Sequence, residues 1–181
     1  MRLWVRTAAT LAALCLVGAA LAVPKAPPAP KVEITVAHRG KVTIALFPKD
    51  APKTVAHFLG LVRKGFYDGI VVHRVEPGFV VQAGDPQTKT RPFTDPAIGS
   101  GGSGRNIPFE RSAKPHEIGT VAMALSAPRS ATGDSQWFIN LAPNHQLDGD
   151  YCVFGKVTKG MDVVRKIKPG DRIVRARVLR K

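Results

Sequence analysis

Three long polar side chains interrupt apolar, strand-like segments, and their residue types are the ones in this sequence that suggest chemistry. Arg74 and Gln82 lie in "VVHRVEPGFVVQAGD", residues 71–85, and Gln136 precedes Trp137. Burying a guanidinium or an amide without hydrogen-bond partners is costly. None of the three is a nucleophile, and arginine stays protonated and cannot act as a base. Such groups suit a reaction that needs orientation and electrostatics but no covalent step.

Two interpretations of these polar residues follow from the sequence. In the first, they form a binding site with apolar walls, which the sequence can supply from Phe79, Trp137, Phe138 and Leu147. In the second, Arg74 and Gln82 simply satisfy main-chain groups inside a core, as most buried polar groups do. Residue type alone leaves the two interpretations equally open.

Motifs for other chemistries are incomplete. "HEIGT", residues 116–120, has Thr120 where the zinc motif HExxH needs its second histidine. "GGSGR", residues 101–105, has Arg105 where the nucleophile elbow GxSxG needs its last glycine. We therefore expect no metal and no cofactor. A Ser-His-Asp hydrolase stays open by residue type alone, and its candidate nucleophiles are Ser126, Ser130 and Ser135.

The elements that must position these residues can be predicted from hydrophobic periodicity. A helix is expected from Asp50, as N-cap, to Gly65, because an apolar stripe repeats at helical spacing through Val55, Phe58, Leu59 and Val62. A shorter helix is expected near 161–167. Strands are expected at about 33–37, 42–47, 70–75, 79–82, 120–125, 136–140, 153–157 and 173–179. This pattern predicts a mainly β fold, a closed antiparallel barrel whose ends the two helices cap.

The N-terminal part of the chain differs in composition from the rest. Arg2 and Arg6 precede an uncharged apolar run that ends in Ala20-Leu21-Ala22, so residues 1–22 are predicted to be a cleaved signal peptide. Residues 23–31 are proline-rich and are predicted to be an extended linker. The folded domain is expected over residues 32–181. Cleavage would leave Cys152 as the single cysteine, which we expect to be a buried strand residue rather than a reactive thiol.

The charge balance is strongly basic. The whole chain carries a formal charge of +14, and without Arg2 and Arg6 it carries 25 basic against 13 acidic side chains, or +12. Residues 156–181 are especially basic, with ten Lys and Arg against Asp162 and Asp171. Two interpretations are open: a solvated surface, or a region that meets an anionic envelope surface. Because the chain is expected to be exported, nucleic acid is not expected as a partner.

Several separated motifs together resemble one known family. "VHRVEPGFVVQAGD", residues 72–85, resembles the cyclophilin signature, and similar segments follow in the same order: "GTVAMAL" at 119–125, "SQWFINL" at 135–141 and "LDGDYCVFGKVTKGMDVV" at 147–164. "APKTVAHFLGLVRKGFYDG", residues 51–69, is similar as well. The resemblance covers about 32–179. It implies a closed eight-stranded antiparallel β-barrel with two helices and peptidyl-prolyl cis-trans isomerase activity on proline-containing polypeptides.

The resemblance also implies roles for individual residues. Arg74 matches the family's catalytic arginine, and Gln82 is expected to hold it or to contact the substrate. The substrate-binding positions that match are Phe79, Val80, Ala124, Gln136, Phe138, Leu147 and Tyr151. Strict strand alternation places Phe79 and Gln82 on opposite faces, so we expect Phe79 to precede the regular strand.

Three positions depart from the common family pattern. Val80 stands where many members have methionine, and Tyr151 stands where many have histidine, which changes the shape of the pocket only mildly. Gln146 stands where members that bind cyclosporin tightly have tryptophan, so weak drug binding is expected. The segment 126–134 is about two residues longer than the common eukaryotic form.

The expected function is that of an exported, monomeric isomerase that assists the folding of other exported proteins, with the periplasm as the expected location. A second interpretation is a module that binds proline segments with little turnover. After cleavage of the signal peptide, no stable membrane insertion is expected.

Overall fold

The computed structural model of this chain describes residues 28–180. The predicted signal peptide and most of the predicted linker lie outside the described residues, and those two predictions stay untested. The first strand begins at Lys31, one residue before the expected domain boundary. Among residues 28–180, none of the helices combines the length and the hydropathy of a membrane span.

Eight strands and two α-helices build the domain. The strands are β1 (Lys31–Val36), β2 (Gly40–Leu46), β3 (Arg74–Glu76), β4 (Val80–Ala83), β5 (Thr120–Met123), β6 (Trp137–Asn140), β7 (Val153–Lys159) and β8 (Ile173–Leu179). The helices are α1 (Pro52–Arg63) and α2 (Met161–Val164). Every predicted element is present, although three strands, β3, β5 and β6, and the helix α2 are shorter than the periodicity suggested.

The strands form one antiparallel sheet in the order β3-β4-β6-β5-β7-β2-β1-β8. The mainly β architecture with two helices is therefore confirmed, but the predicted closed barrel is not, because this order is open with β3 and β8 at its edges. A few main-chain contacts join the segment just before β3 to the segment just before β8. Val71 pairs with Arg172 as a single antiparallel bridge, and Val72 N donates to Asp171 O at 2.8 Å. These contacts use the predicted strand residues 70–73, which explains why β3 begins only at Arg74.

The first helix packs as its periodicity predicts but begins differently. Its apolar stripe is buried at Val55, Phe58, Leu59 and Val62. Asp50 is not the N-cap, since Ala51 holds that position without a side-chain cap. The carboxylate of Glu110 takes over from the distant loop, accepting from Lys53 N at 2.9 Å and from Thr54 N at 2.7 Å. A carboxylate is favourable at a helix N-terminus because it meets unpaired N–H groups and the positive end of the helix dipole.

Strand pairing brings the candidate site residues onto one part of the sheet. Arg74 on β3 is paired with Gln82 on β4, and Gln82 is in turn paired with Phe138 on β6. Phe138 is also paired with Ala122 on β5. Directly paired residues point to the same face of a sheet. The register therefore places these side chains side by side across four strands.

Candidate active site

Arg74 lies at the rim of the sheet and is held by two neighbouring side chains. Its Nη1 donates to Gln82 Oε1 at 3.0 Å, and its Nε donates to Glu76 Oε1 at 2.8 Å. Its Nη2 lies 2.6 Å from the same Glu76 oxygen, and its Cζ lies 5.8 Å from the centre of the Phe79 ring. The side chain is 44% exposed, so the interpretation of Arg74 as a core residue is wrong. The guanidinium is fixed in position while part of it remains free for a ligand.

A chain of amides behind Arg74 fixes the orientation of Gln82. Gln136 Nε2 donates to the main-chain oxygens of Gly99 and Gly101, both at 2.8 Å. Gln136 Oε1 is then left to accept from Gln82 Nε2 at 3.0 Å. Gln82 therefore presents its own oxygen to Arg74. The glycine-rich loop, expected to be irregular from the sequence, thus orients the arginine through two glutamines.

A cavity of about 240 Å³, walled mostly by apolar side chains, opens beside the guanidinium. It is lined by Arg74, Phe79, Val80, Gln82, Ala124, Leu125, Phe138, Leu147 and Tyr151. Eight of these nine residues are the ones that the sequence predicts for the site. Leu125 was not predicted, and Gln136 lies behind Gln82 on a neighbouring groove instead. The structure therefore gathers the predicted residues into one place, although their individual roles stay predictions.

Phe79 reaches the cavity because it precedes the regular strand, as expected. Residues 77–79 form a turn between β3 and β4, and Phe79 N donates to Glu76 O at 2.9 Å. The Phe79 oxygen accepts from Leu141 N at 2.8 Å and from Asn144 Nδ2 at 3.1 Å. These bonds hold Phe79 outside the regular strand, so its ring does not follow the alternation of side chains and can line the same cavity as Gln82.

The floor of the cavity is the ring of Phe138, which is buried and held from two sides. Tyr151 meets it edge-on at 6.0 Å and 76°, and His116 stacks on it at 5.8 Å and 15°. Aromatic pairs at such distances and angles are favourable beyond the area that they bury. His116 was not predicted as part of the site, since its contacts come from long-range packing.

His116 is held in its neutral form by a buried hydrogen-bond network. Asn144 Nδ2 donates to Asn140 Oδ1 at 2.7 Å, which leaves Asn140 Nδ2 as the donor that faces His116 Nδ1 at 3.1 Å. His116 Nε2 lies 3.2 Å from Tyr151 O and donates to it in this tautomer. Protonation would place a second N–H against the Asn140 amide donor. Burial accordingly lowers the pKa of His116, as it also lowers the pKa of His73.

These two histidines predict a dependence of stability on pH. An unfolded chain takes up their protons near pH ~6.5, whereas the folded chain takes them up only at lower pH. Their contribution to the free energy of unfolding is therefore complete above about pH 6.5 and is lost as the pH falls towards the folded pKa values. We expect the urea concentration at the unfolding midpoint to decrease as the pH is lowered from about 7 to about 5. The free energy of unfolding should decrease with a limiting slope of about 1.4 kcal/mol per pH unit per histidine.

The variant His116→Gln isolates one of the two histidines. Glutamine retains hydrogen-bonding groups but cannot take up a proton in this range. The midpoint of His116→Gln should depend less steeply on pH than that of the unaltered chain by the share of one group. An unchanged slope in the variant would show that His116 does not titrate as inferred.

A second, more polar groove of about 500 Å³ adjoins the cavity. It shares Gln82, Ala124 and Leu125 with the cavity and continues along the glycine-rich loop. Asp134 anchors that loop: its carboxylate accepts from Ser103 Oγ and, at 3.0 Å, from Gly104 N, and it lies 3.1 Å from His57 Nε2 on α1. The groove therefore continues the cavity along a loop whose main chain is held in place by hydrogen bonds to Asp134.

The hydrolase alternative finds no support in the described residues. Ser135 Oγ donates to Gly84 O at 2.8 Å, and Ser130 Oγ donates to Ala127 O at 2.7 Å. Ser126 Oγ donates to Thr132 Oγ1 at 3.0 Å. Within residues 28–180 none of these hydroxyls bonds to a histidine, as a serine nucleophile requires.

Cys152 is also unsuited to chemistry. It is buried, although it lies one residue before β7 rather than in a strand. Its Sγ accepts from Thr54 Oγ1 at 3.8 Å, and burial raises the pKa of the thiol to about 11. The thiolate is the reactive form of cysteine, so this thiol is inert at neutral pH.

Glu76 is the clearest site residue that the sequence reasoning missed. Residues two apart on a strand point to the same face, so the Arg74-Val75-Glu76 spacing already placed the carboxylate beside the guanidinium. Asn140 and Asp134 gave no such local signal, because their partners come from distant parts of the chain.

Comparison with known proteins identifies the family. A sequence model described as "Cyclophilin type peptidyl-prolyl cis-trans isomerase/CLD" matches residues 31–180. The chain belongs to the cyclophilin family. It is a peptidyl-prolyl cis-trans isomerase by this membership, and the match covers all eight strands and both helices.

Individual relatives agree with this membership. A peptidyl-prolyl cis-trans isomerase of Synechococcus elongatus is 40% identical over 143 residues, which cover 78% of this chain and 91% of the relative. Peptidyl-prolyl cis-trans isomerase B of Bacillus subtilis is 39% identical over 138 residues, covering 76% and 90%. A cyclophilin-type isomerase of Cryptosporidium parvum, solved in the presence of the dipeptide Ala-Pro, has a TM-score of 0.72 at 27% identity, covering 83% of this chain and 99% of that one.

Proposed function

We propose that this cyclophilin accelerates rotation about X–Pro bonds in exported polypeptides while they fold, and that it does so by non-covalent stabilisation of the twisted amide. The observation that carries the mechanism is the fixed, partly exposed guanidinium of Arg74 at the mouth of a cavity walled mostly by apolar side chains. The Ala-Pro dipeptide present with the Cryptosporidium relative supports proline-containing peptides as the ligands of this cavity.

The chemistry of the reaction explains why an arginine is suited to it. The barrier to rotation about a peptide bond is about 18–20 kcal/mol and comes from amide resonance. In the twisted amide that resonance is lost, and the proline nitrogen gains a lone pair that can accept a hydrogen bond. Arg74 can donate to this lone pair but not to the planar amide. The interaction is thus stronger in the transition state than in the ground state, which is the condition for catalysis.

The surroundings of Arg74 strengthen this differential interaction. The proline ring would lie on Phe79, Val80, Phe138 and Leu147, which exclude water from one side of the reacting bond. Preorganised donors in a site of low dielectric stabilise developing charge better than water does. Gln82 and Glu76 hold the guanidinium, so little reorganisation is needed when the substrate arrives.

The adjoining groove extends the proposed substrate site. A proline in the cavity places the preceding residues over Gln82 and Ala124, which line both spaces. The groove is bordered mainly by hydroxyls, amides and main-chain groups. We infer that an extended polypeptide binds across Gln82, with main-chain contacts in the groove and the proline in the cavity.

The cellular setting is a proposal from the sequence. Residues 1–22 have the charge and hydropathy pattern of a signal peptide, which supports export, with the periplasm as the favoured location. We propose that the exported form is a monomer that begins at Val23. Sequencing the N-terminus of the protein from an exporting cell, together with fractionation, tests this, and a retained segment 1–22 in a cytoplasmic fraction would contradict it.

Magnetisation-exchange NMR on an Ala-Pro peptide tests the activity. We expect catalytic amounts of the protein to accelerate exchange between the cis and trans forms. Addition to a refolding protein that is limited by prolyl isomerisation should shorten its slow phase, which lasts about 10–100 s without a catalyst. Saturable peptide binding without faster exchange would instead favour the alternative, a module that only binds proline segments.

A further inference from the structure

A basic face covers the outer side of four neighbouring strands, β7, β2, β1 and β8. We define it by its six cations, Lys31, Lys41, Lys156, Lys159, Arg175 and Arg177, all of which are exposed. We propose that this basic face docks the protein on the surface of an anionic phospholipid bilayer. The proposal concerns a surface on the other half of the sheet from the cavity and does not depend on the isomerase mechanism.

Strand register places the cations in three rows across the sheet. In one row Lys31 is paired with Ala45, which is paired with Lys156. In another, Thr35 is paired with both Lys41 and Arg175.

The third row completes the pattern. It runs from Lys159 through Thr43 and Glu33 to Arg177. Each row therefore carries two cations.

The charges of the basic face are largely uncompensated. Glu33 is its single carboxylate, and it lies 3.3 Å from Lys41 Nζ and 2.8 Å from Arg177 Nη2. Within residues 28–180 no carboxylate pairs with Lys31, Lys156, Lys159 or Arg175. Six cations against one anion leave a net charge of +5 on one side of the sheet.

The shape of the face favours a bilayer surface over a linear polyanion. Strands lie about 4.8 Å apart and alternate side chains repeat about every 6.6 Å, so the three rows span about 14 Å in each direction. Charges spread over two dimensions match a plane of headgroups, whereas a polymer is bound along a groove. Each Lys or Arg near an anionic membrane adds to the attraction, which salt screens.

The position of the face along the chain gives a second argument. Lys31, the first residue of β1, directly follows the proline-rich segment 23–30, and the apolar run 7–22 precedes that segment. In an extended polyproline conformation these eight residues reach about 25 Å. Before the predicted cleavage, while the apolar run is in the membrane during export, the segment 23–30 would keep the basic face within about this distance of the lipid surface.

The active site stays accessible in this arrangement. None of the nine residues that line the cavity, Arg74 among them, belongs to the basic face. A protein docked through its basic face can therefore still receive an unfolded chain that emerges at the membrane.

Vesicle binding tests the proposal. The protein is used from Val23, because every element of the fold lies within residues 31–180. The match to the Cryptosporidium relative covers 99% of that chain, so this domain was also solved without further segments. The test variant is Lys31→Gln, Lys156→Gln, Lys159→Gln and Arg175→Gln. The matched control removes four exposed charges elsewhere, through Lys49→Gln, Lys53→Gln, Arg63→Gln and Lys64→Gln.

We expect the unaltered domain and the control to bind vesicles of phosphatidylcholine with about one third phosphatidylglycerol, and the test variant to bind them at least about tenfold more weakly. Binding should decrease from about 50 mM to about 300 mM salt and be absent on pure phosphatidylcholine. Thermal unfolding and Ala-Pro exchange should be the same in all three proteins, which separates this result from a loss of fold or activity.

Three outcomes would overturn the proposal. The first is an equal loss of vesicle affinity in the test variant and the control, because that would show a nonspecific effect of net charge. Binding to neutral vesicles must not match binding to anionic ones. Finally, a test variant that loses heparin binding but keeps vesicle binding would assign the basic face to a soluble polyanion.

Discussion

Replacing Arg74 with alanine is expected to lower kcat/KM for an Ala-Pro peptide by about a hundredfold, equivalent to about 2.7 kcal/mol of transition-state stabilisation. Hydrogen bonds that involve a charged group contribute about 1.5–3 kcal/mol, which sets this magnitude. The domain should remain folded, because Arg74 is partly exposed and bonds only to Gln82 and Glu76 among the side chains described. Exchange NMR measures the rate, and urea unfolding monitored by the buried Trp137 measures stability.

Two further variants sharpen this result. Arg74→Lys retains the charge but lacks the planar fork that reaches Gln82 and Glu76 together, so we expect an intermediate loss. Arg175→Ala removes an exposed arginine from β8 that does not line the cavity, and it should leave kcat/KM unchanged. Full activity in Arg74→Ala would contradict the role proposed for this residue.

Replacing Gly84 with alanine is expected to reduce the free energy of unfolding by about 3–5 kcal/mol, through backbone strain and overpacking together. Gly84 follows β4 with φ +113°, where side chains other than glycine are strained. An added Cβ would lie 2.3 Å from Ser135 O and 2.6 Å from Gln136 Cα, both of them main-chain atoms. These atoms cannot move freely, because Tyr67 OH donates to Ser135 O at 3.0 Å and Ser135 Oγ donates to Gly84 O at 2.8 Å.

Gly69→Ala is the matched control for the effect of conformation alone. Gly69 has φ +86°, but an added Cβ there would meet no atom within 4 Å. Its expected cost is only that of the left-handed conformation, about 1–2 kcal/mol. Urea unfolding of both variants at one pH measures the two losses of unfolding free energy. The difference between them is the cost of the steric overlap at Gly84 beyond that of the backbone conformation. Equal midpoints for the two variants would show that the close approach of Gly84 to the main chain of Ser135 and Gln136 does not limit stability.

Local patterns in the sequence were sufficient for much of this protein. Hydrophobic periodicity predicted the helical stripe through Val55 and Phe58, because burial repeats with the geometry of the element itself. Pro77-Gly78 indicated the turn that lets Phe79 join Gln82, since both residues favour turns. The family resemblance supplied the site residues that gather around one cavity, with Gln136 behind it.

Features that depend on distant partners were decided only by the tertiary structure. Glu110 caps α1 in place of Asp50, and the loop glycines orient Gln136, because each of these contacts joins residues more than thirty positions apart. The order of the strands likewise leaves an open sheet where a closed barrel was expected.

The basic residues show the same division most clearly. The sequence by itself determined a positive charge and its concentration after Lys156. Strand pairing then brings Lys31 and Lys41 from the start of the domain beside Arg175 and Lys156 from its end. Composition fixes how much charge a protein carries, but the density of charge on a surface depends on which strands are neighbours, and that is set by long-range packing.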